Sequence, residues 1–216
     1  MLKSCDNIRV ESIVRGISRL SISAKVFGNS QTGQKVPAPR IIALTGFMGA
    51  GKTSVGLALA ALLGWTFLDL DQEIELRRKL RIREIFDLHG ELHFREIETD
   101  ALRAILEHAS VPMVIALGGG TFIPACNADL LRKCGARVVF LETPMEQLLQ
   151  RCGIGTQSSE EILRPLAADA DAFRALYAQR LPQYRSADLT VSTAGKTAEE
   201  NAWEIAARLR LAAGPH

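Results

Sequence analysis

Apolar residues along the chain fall into blocks whose lengths separate strands from helices. Short apolar runs, typical of strands buried on both faces, occur at residues 41–44, 65–70, 111–117, 137–141 and 189–191. Longer segments lie between them, and the clearest is the Ala/Leu-rich helix predicted over 54–63, which Gly64 can end. Strands that alternate with helices predict a five-stranded parallel sheet covered on both faces, a three-layer α/β/α fold.

The remaining helices are predicted from similar spacing. Two helical patterns follow the second apolar run, one ending near Gly90 and one running over 91–108. Further helices are predicted over 127–133, from Pro144 onward, over 171–180 and over 198–211. A polar stretch separates the helix that starts at Pro144 from the next one.

The first 38 residues differ from the rest of the chain, because they carry scattered serine and basic residues with few acids. They contain no continuous apolar segment of the kind found in secretory signals. Their composition is compatible with an organellar transit peptide, although a loose extension or a start codon placed too early is the preferred interpretation. We therefore predict a poorly ordered extension over 1–38 and a folded domain over 39–213.

Composition limits the classes of function. Apolar residues make up 47% of the 216 residues, which predicts a soluble globular protein. The net charge of +2, from 26 basic and 24 acidic residues, argues against a general nucleic-acid surface. No apolar run approaches the roughly 20 residues that cross a bilayer. The four cysteines form no CxxC pair and are too few for a disulfide scaffold, so we expect a reducing compartment, the cytoplasm. We also expect a monomer that binds neither nucleic acid nor membrane.

The segment GFMGAGKT, residues 46–53, matches GxxxxGK[ST] at every fixed position, between a predicted strand and a predicted helix. Its glycines let backbone N–H groups turn around phosphate oxygens, and the helix adds its positive end. Lys52 supplies a cation for the β- and γ-phosphates, and the Thr53 hydroxyl is a hard ligand for Mg²⁺. An ordinary glycine-rich turn would not require the Lys-Thr pair. The predicted nucleotide-binding residues of this P-loop are Gly49, Ala50, Gly51, Lys52, Thr53 and Ser54.

Asp69 and Asp71 end the second predicted strand. Carboxylates two apart on a strand point the same way, toward the edge of the sheet where ligands of open α/β proteins bind. One carboxylate can orient a Mg²⁺-bound water and the other can accept a hydroxyl proton. Acidic residues after a strand also cap the following helix, and the pair alone leaves both interpretations open.

Two further features favour a binding site for an anionic acceptor. Arg95 and Glu98 lie three apart in a predicted helix, so the carboxylate can fix the guanidinium and present it as a fork. A solvated ion pair is the simpler alternative. Gly118, Gly119 and Gly120 directly follow an apolar strand, and close approach by a ligand explains such a run better than chance does.

Together these features resemble the shikimate kinase family. The resemblance rests on FxxxGExxFRxxE at 86–98, the triple glycine, DxD after the second strand, and RPL followed by RxPxY. These elements occur in the family's order from about Arg40 to the C-terminal helix. The resemblance implies a P-loop kinase fold with a mobile lid at about 152–168. It also implies transfer of a phosphoryl group from ATP, with Mg²⁺, to the 3-hydroxyl of shikimate.

The resemblance also assigns roles by matched position. Asp71 would hold the substrate hydroxyls and lie nearest the reacting oxygen, while Arg95 and Arg180 would bind the carboxylate. The triple glycine, with Gly119 at its centre, would contact substrate through its backbone. Asp69 would act on Mg²⁺ through water. The lid arginine would be Arg164, and Arg151 would stack on adenine. Here the lid departs from the family pattern, because it is longer and contains two glutamates in place of basic residues.

Two other functions remain to be weighed. A related P-loop kinase could act on gluconate or a nucleotide, but it would lack paired arginines together with the triple glycine. A binding module could sense a metabolite without turnover, yet it could then lose Lys52, Asp71 or Arg164, and all three are present.

Overall fold

The structure is a computed structural model that describes residues 41–154 and 170–211. In these ranges the strands are β1 (Ile41–Thr45), β2 (Thr66–Asp69), β3 (Met113–Ala116), β4 (Arg137–Glu142) and β5 (Leu189–Ser192). The helices are α1 (Lys52–Leu63), α2 (Leu70–Arg78), α3 (Ile82–Glu107), α4 (Ala125–Lys133), α5 (Met145–Arg151), α6 (Ala170–Tyr184) and α7 (Ala198–Arg208). None of these helices is long and apolar enough to cross a membrane. The predicted extension and most of the predicted lid, including Arg164, lie outside the described residues.

The five strands form one parallel sheet in the order β2-β3-β1-β4-β5, which confirms the predicted sheet. β1 lies at the centre, and all five of its residues are buried. The chain leaves β1 toward one edge of the sheet and leaves β3 toward the other edge. The loops after these two neighbouring strands therefore open a crevice at their carboxyl ends, where open α/β sheets bind ligands.

The handedness of the connections determines which face each helix covers. Connections between parallel strands are right-handed, so a reversal of direction across the sheet moves the helix to the opposite face. The β1-to-β2 connection runs one way and carries α1, which packs against α7. The later connections run the other way, and there α3 packs against α2 and α4. Helices thus cover both faces, as predicted.

The second strand was predicted too long. β2 ends at Asp69, and α2 begins at Leu70, so Asp71 lies in the first turn of a helix rather than on a strand. The Asp69 carboxylate accepts hydrogen bonds from the backbone N–H groups of Asp71 (3.1 Å) and Gln72 (3.3 Å). This N-cap starts the helix, so the capping interpretation of the acidic pair was correct for Asp69.

One helical region confirms its predicted pattern, and another helix differs from it. α3 (Ile82–Glu107) is interrupted at Gly90, whose φ of 77° and ψ of 171° are not helical, so the predicted division into two helical segments near Gly90 is confirmed. α6 continues past its predicted end at residue 180 and includes Pro182. Tyr184, at the end of this helix, is fully buried and stacks on Phe140 with ring centroids 5.2 Å apart. Burial of this large side chain favours the extra helical turn despite the proline.

Candidate active site

The loop between β1 and α1 has the conformation that phosphate binding requires. Gly49 and Gly51 have φ values of 80° and 87°, in the left-handed region that favours glycine. Gly51 is the N-cap of α1 and contributes no side-chain hydrogen bond, so the positive end of the helix faces the loop. Lys52, Thr53 and Ser54 form the first turn, where backbone N–H groups lack partners within the helix. A phosphate group suits this arrangement.

The side chains of Lys52 and Thr53 have different hydrogen-bond partners. Lys52 Nζ donates to the carbonyl oxygens of Gly46 (2.9 Å) and Phe47 (3.0 Å), which holds the ammonium group over the loop. Thr53 Oγ1 donates to Asp69 Oδ2 at 2.7 Å. The structure therefore brings together the two residues predicted to serve the metal, and both contribute the hard oxygen atoms that Mg²⁺ prefers.

Arg151 ends α5 next to the same loop. One of its guanidinium nitrogens donates to Gly49 O at 3.2 Å, and another lies 3.4 Å from Gln147 Oε1. The neighbouring Cys152 Sγ lies 3.0 Å from the position that a Cβ at Gly49 would occupy, so this glycine is tightly packed. The structure places Arg151 at the nucleotide loop, while its stacking on adenine stays a prediction.

The first glycine of the triple-glycine turn, which follows β3, makes room for polar side chains. A Cβ at Gly118 would lie 2.7 Å from Asp71 Oδ1, 2.8 Å from Glu98 Oε1 and 2.9 Å from Thr121 Oγ1. These distances are shorter than any side chain tolerates without movement of its neighbours. The glycine therefore lets three side chains from different segments converge on one point of the backbone.

Arg95 lies against the last glycine of the turn. A Cβ at Gly120 would lie 2.6 Å from a terminal guanidinium nitrogen of Arg95. The same guanidinium donates to Glu98 Oε2 (2.9 Å) and Glu91 Oε1 (3.0 Å), so the predicted Arg95–Glu98 pair is present. Burial lowers the pKa of Arg95, but Glu98 and Glu91 outweigh it and hold the pKa above its usual value. A permanently charged fork is thus fixed beside the turn.

The middle glycine anchors the second arginine. The Gly119 carbonyl accepts hydrogen bonds from Arg180 (3.3 Å) and from the hydroxyl of Tyr184. Arg180 also lies over the ring of Phe47, 5.9 Å from its centroid. Burial raises the pKa of Tyr184 to about 12, so its hydroxyl remains a donor at neutral pH. The two arginines predicted to bind a carboxylate therefore contact the same turn.

The nucleotide loop and the triple-glycine turn lie side by side. A Cβ at Gly119 would lie 3.6 Å from the backbone nitrogen of Met48 and 3.9 Å from Gly46 O, both in the nucleotide loop. Phe47 of that loop packs edge-on against Phe173 (4.8 Å) and Tyr177 (5.3 Å) of α6, the helix that carries Arg180. Lys52 thus contacts the nucleotide loop, while Asp71, Arg95 and Arg180 contact the adjacent triple-glycine turn.

Several residues of this site were not identified from the sequence. Glu91 stands four residues before Arg95, within the FxxxGExxFRxxE pattern, so helical spacing alone could have identified it. Phe47 and Tyr184 also lie within predicted motifs, but their contacts depend on the packing of α6. Thr121 had no sequence signal, because its partner Glu98 is 23 positions away.

Comparison with known proteins identifies the family of this chain. The family model described as shikimate kinase matches residues 48–210, which is most of the chain. This chain belongs to the shikimate kinase family. It is 40% identical over 174 residues to the shikimate kinase of Moorella thermoacetica, covering 80% of this chain and 95% of that one. It is 41% identical over 174 residues to the shikimate kinase of Geobacter sulfurreducens, covering 79% and 91%.

Solved structures of the family share the fold. The shikimate kinase from Acinetobacter baumannii, in complex with shikimate, superposes with a TM-score of 0.70 at 37% identity. The alignment covers 81% of this chain and 94% of that one. The five-stranded parallel sheet described above is therefore a P-loop kinase fold, as the resemblance implied.

Proposed function

We propose that this chain holds ATP and shikimate on opposite sides of the crevice between β1 and β3. Its activity is that of its family: ATP-dependent phosphorylation of the 3-hydroxyl of shikimate, which yields 3-phosphoshikimate and ADP. One observation carries the proposed arrangement. The triple-glycine turn contacts the nucleotide loop through Gly119 and the acceptor-side groups Asp71 and Arg95 through Gly118 and Gly120. A phosphate donor and an anionic acceptor would thus lie within reach of each other.

On the nucleotide side, the loop residues Gly49, Ala50 and Gly51 would surround the phosphates with backbone N–H groups. Lys52, now bonded to two loop carbonyls, would turn to the β- and γ-phosphates when ATP binds. Thr53 would bind Mg²⁺ directly and Asp69 through water. The metal would neutralise charge on the phosphate oxygens. Arg164, outside the described residues, is proposed from its RPL context as the arginine that closes over the phosphates.

On the acceptor side, Arg95 and Arg180 would bind the carboxylate of shikimate. Arg95 is only 24% exposed and is already fixed by two glutamates, so little conformational freedom remains to be lost when substrate binds. Arg180 is held by the Gly119 carbonyl and the Phe47 ring. Two fixed guanidinium groups would recognise a planar carboxylate and set the orientation of the sugar-like ring.

The same orientation would direct the reacting hydroxyl toward Asp71. In the transfer, the 3-hydroxyl oxygen forms a bond to the γ-phosphorus, and the bond between that phosphorus and the bridging β,γ oxygen breaks. The hydroxyl proton passes to the Asp71 carboxylate, and ADP leaves with the electron pair. Lys52 would stabilise the charge that develops on the phosphoryl oxygens. Positioning accounts for most of the acceleration expected from this site.

An activity assay on several acceptors tests the proposal. ADP release would be coupled to a spectrophotometric signal and measured with shikimate, quinate, gluconate and AMP as acceptors. We expect the highest kcat/KM for shikimate, because it presents both a carboxylate for the arginines and a hydroxyl for Asp71. Preference for gluconate or AMP would indicate a related P-loop kinase instead. Tight binding of shikimate without ADP release would indicate a sensing module.

The setting of the reaction is also proposed. The described cysteines Cys126, Cys134 and Cys152 are free thiols, which supports a reducing compartment such as the cytoplasm. The crevice is assembled within one chain from α2, α3, α6 and the turn after β3, which supports a monomer. We further propose that residues 39–213 form the catalytic domain, that 1–38 are an extension, and that about 152–168 form the lid. Gel filtration with light scattering would test the monomer.

A further inference from the structure

Thr121 follows the triple-glycine turn and lies beside the candidate active site without a role in the reaction described above. Its side chain is fully buried, and its hydroxyl donates to Glu98 Oε1 at 2.6 Å. Glu98 is itself only 1% exposed. A buried carboxylate requires a hydrogen-bond donor for each of its oxygens, since an unsatisfied charged group is unfavourable away from water. Thr121 is therefore one of two donors on which the placement of Glu98 depends.

The second donor to Glu98 is the arginine proposed to bind substrate. Arg95 donates to Glu98 Oε2 at 2.9 Å, so the two oxygens of one carboxylate connect Thr121 to the guanidinium. The other partner of Arg95, Glu91, is 63% exposed and can reorient in solvent. The buried Glu98 is consequently the more rigid of the two supports.

The backbone holds Thr121 in place. Its N–H group donates to the carbonyl of Gly118 at 3.2 Å, which closes the triple-glycine turn. Its carbonyl accepts a hydrogen bond from the side-chain amide of Asn127 at 2.9 Å, and Asn127 is also fully buried. The backbone of Thr121, which carries the hydroxyl, is therefore held in position by both the turn and α4.

We propose that Thr121 is a positioning residue for the acceptor substrate: through Glu98 it orients the Arg95 guanidinium toward the shikimate carboxylate. This inference rests on the proposed role of Arg95. Without the Thr121 hydroxyl, Glu98 Oε1 loses its donor, and the carboxylate rotates to find another. Arg95, which shares that carboxylate, moves with it. Nothing in this chain of contacts includes the nucleotide loop, so the nucleotide should bind as before.

Three variants separate positioning from stability. Thr121→Val keeps the shape of the side chain and removes the donor, whereas Thr121→Ser keeps the donor. Thr121→Ala provides a second donor-free variant if the valine is poorly accommodated. A matched control, Thr193→Val, removes another buried threonine hydroxyl, one that is 2.8 Å from the Thr143 hydroxyl, on the β4–β5 side of the sheet. Thermal unfolding of all four variants would report their stabilities.

Thr121→Val should raise the KM for shikimate about ten-fold, since the placement of a charge-assisted contact is lost. The kcat should stay within about two-fold and the KM for ATP should not change. Thr121→Ser should restore most of the KM for shikimate. Thr193→Val should lower the unfolding temperature without raising that KM. An equal rise for Thr121→Ser, or an unchanged KM for both donor-free variants, would overturn the inference.

A substrate analogue tests whether the effect acts through the arginine. For an analogue in which a hydroxymethyl group replaces the carboxylate, Thr121→Val should cause less than a two-fold change in KM, because no anion remains to be oriented. A ten-fold change with this analogue would contradict the mechanism. Arg95→Lys, measured alongside, separates the proposed carboxylate site from the role of Thr121. If that variant leaves the KM for shikimate unchanged, the proposed carboxylate site fails and the role of Thr121 fails with it. If Arg95→Lys raises the KM for shikimate but the Thr121 variants leave it unchanged, the proposed carboxylate site is retained and only the proposed role of Thr121 is wrong.

Discussion

The nucleotide loop and the acceptor pocket lie side by side but are built in different ways. The nucleotide loop is one contiguous segment, residues 46–54, in which backbone groups and the end of α1 would do most of the proposed binding. The proposed acceptor pocket takes Asp71 from α2, Arg95 from α3, Arg180 from α6 and the turn after β3. There side chains would do the binding, and Arg95 is held by the Glu98 carboxylate and Arg180 by the Gly119 carbonyl.

This difference determines how each region tolerates substitution. In the nucleotide loop the conformation depends on left-handed glycines such as Gly49 and Gly51, so an added side chain strains the backbone itself. In the acceptor pocket the glycines of the triple-glycine turn do not have left-handed φ values, and at Gly118 and Gly120 an added side chain would instead displace a charged neighbour. Substitution in the contiguous site therefore disturbs its backbone conformation, whereas substitution in the assembled site disturbs contacts between side chains.

The largest effect is expected from Lys52→Met. This change removes the cation proposed to face the transferring group, and kcat should fall by about 10³-fold, in the range seen when a group that stabilises the transition state is lost. Nucleotide affinity should fall as well, because the same ammonium group would contact the bound phosphates. Coupled ADP release and titration with a fluorescent nucleotide would measure the two effects. Full turnover in this variant would indicate that the phosphoryl group is not transferred next to Lys52.

Arg95→Lys should separate the two regions most clearly. Lysine keeps the charge but cannot bind a carboxylate with two parallel hydrogen bonds while also serving Glu98 and Glu91. The kcat/KM for shikimate should fall about 10²-fold, while the nucleotide affinity stays within about two-fold of the wild-type value. Steady-state kinetics with each substrate varied would show this. Parallel loss of nucleotide binding would mean that Arg95 is a structural residue.

Alanine substitutions in the triple-glycine turn test whether its glycines are required by crowding. Gly120→Ala would place a methyl group 2.6 Å from the Arg95 guanidinium, whereas Gly119→Ala would place one at 3.6 Å from its nearest neighbour, an ordinary contact. We expect the KM for shikimate to rise about ten-fold for Gly120→Ala and about two-fold for Gly119→Ala, since only the first displaces a charged group. Equal effects at both positions would favour backbone flexibility over crowding as the reason for the glycines.

The smallest effect at neutral pH is expected from Tyr184→Phe. Burial raises the pKa of Tyr184 to about 12 from an unfolded value near 10. Between pH 10 and 12 the folded state keeps the phenol proton of Tyr184, which the unfolded state loses. The contribution of this raised pKa to the free energy of unfolding is therefore complete below pH 10 and is lost as the pH rises through 12. The free energy of unfolding should fall about 2 kcal/mol less between pH 10 and 12 in the variant than in the wild type. Chemical denaturation at several pH values would measure this, and parallel curves would argue against it.

The sequence was most informative where function depends on neighbouring residues. The GxxxxGK[ST] spacing predicted a strand, a turn and a helix in the correct order, and the alternation of apolar runs predicted the five parallel strands. The Arg95–Glu98 pair followed from helical spacing. The ends of strands and helices were predicted less well, because local hydrogen bonds determine them. The N-cap formed by Asp69, for example, starts α2 at Leu70, so β2 ends before Asp71.

Short-range spacing on a helix or in a turn fixes direction, so the amino-acid order alone identifies which chemical groups this chain offers and in what order. Which distant groups meet depends on how the chain folds. The contact of Thr121 with Glu98, of Tyr184 with Gly119, and of Arg180 with Phe47 each joins positions that no local periodicity relates. Sheet order, the packing of α6 against Phe47 and that of α3 against the turn after β3 bring these residues into contact, since burial of apolar faces selects one arrangement of the layers.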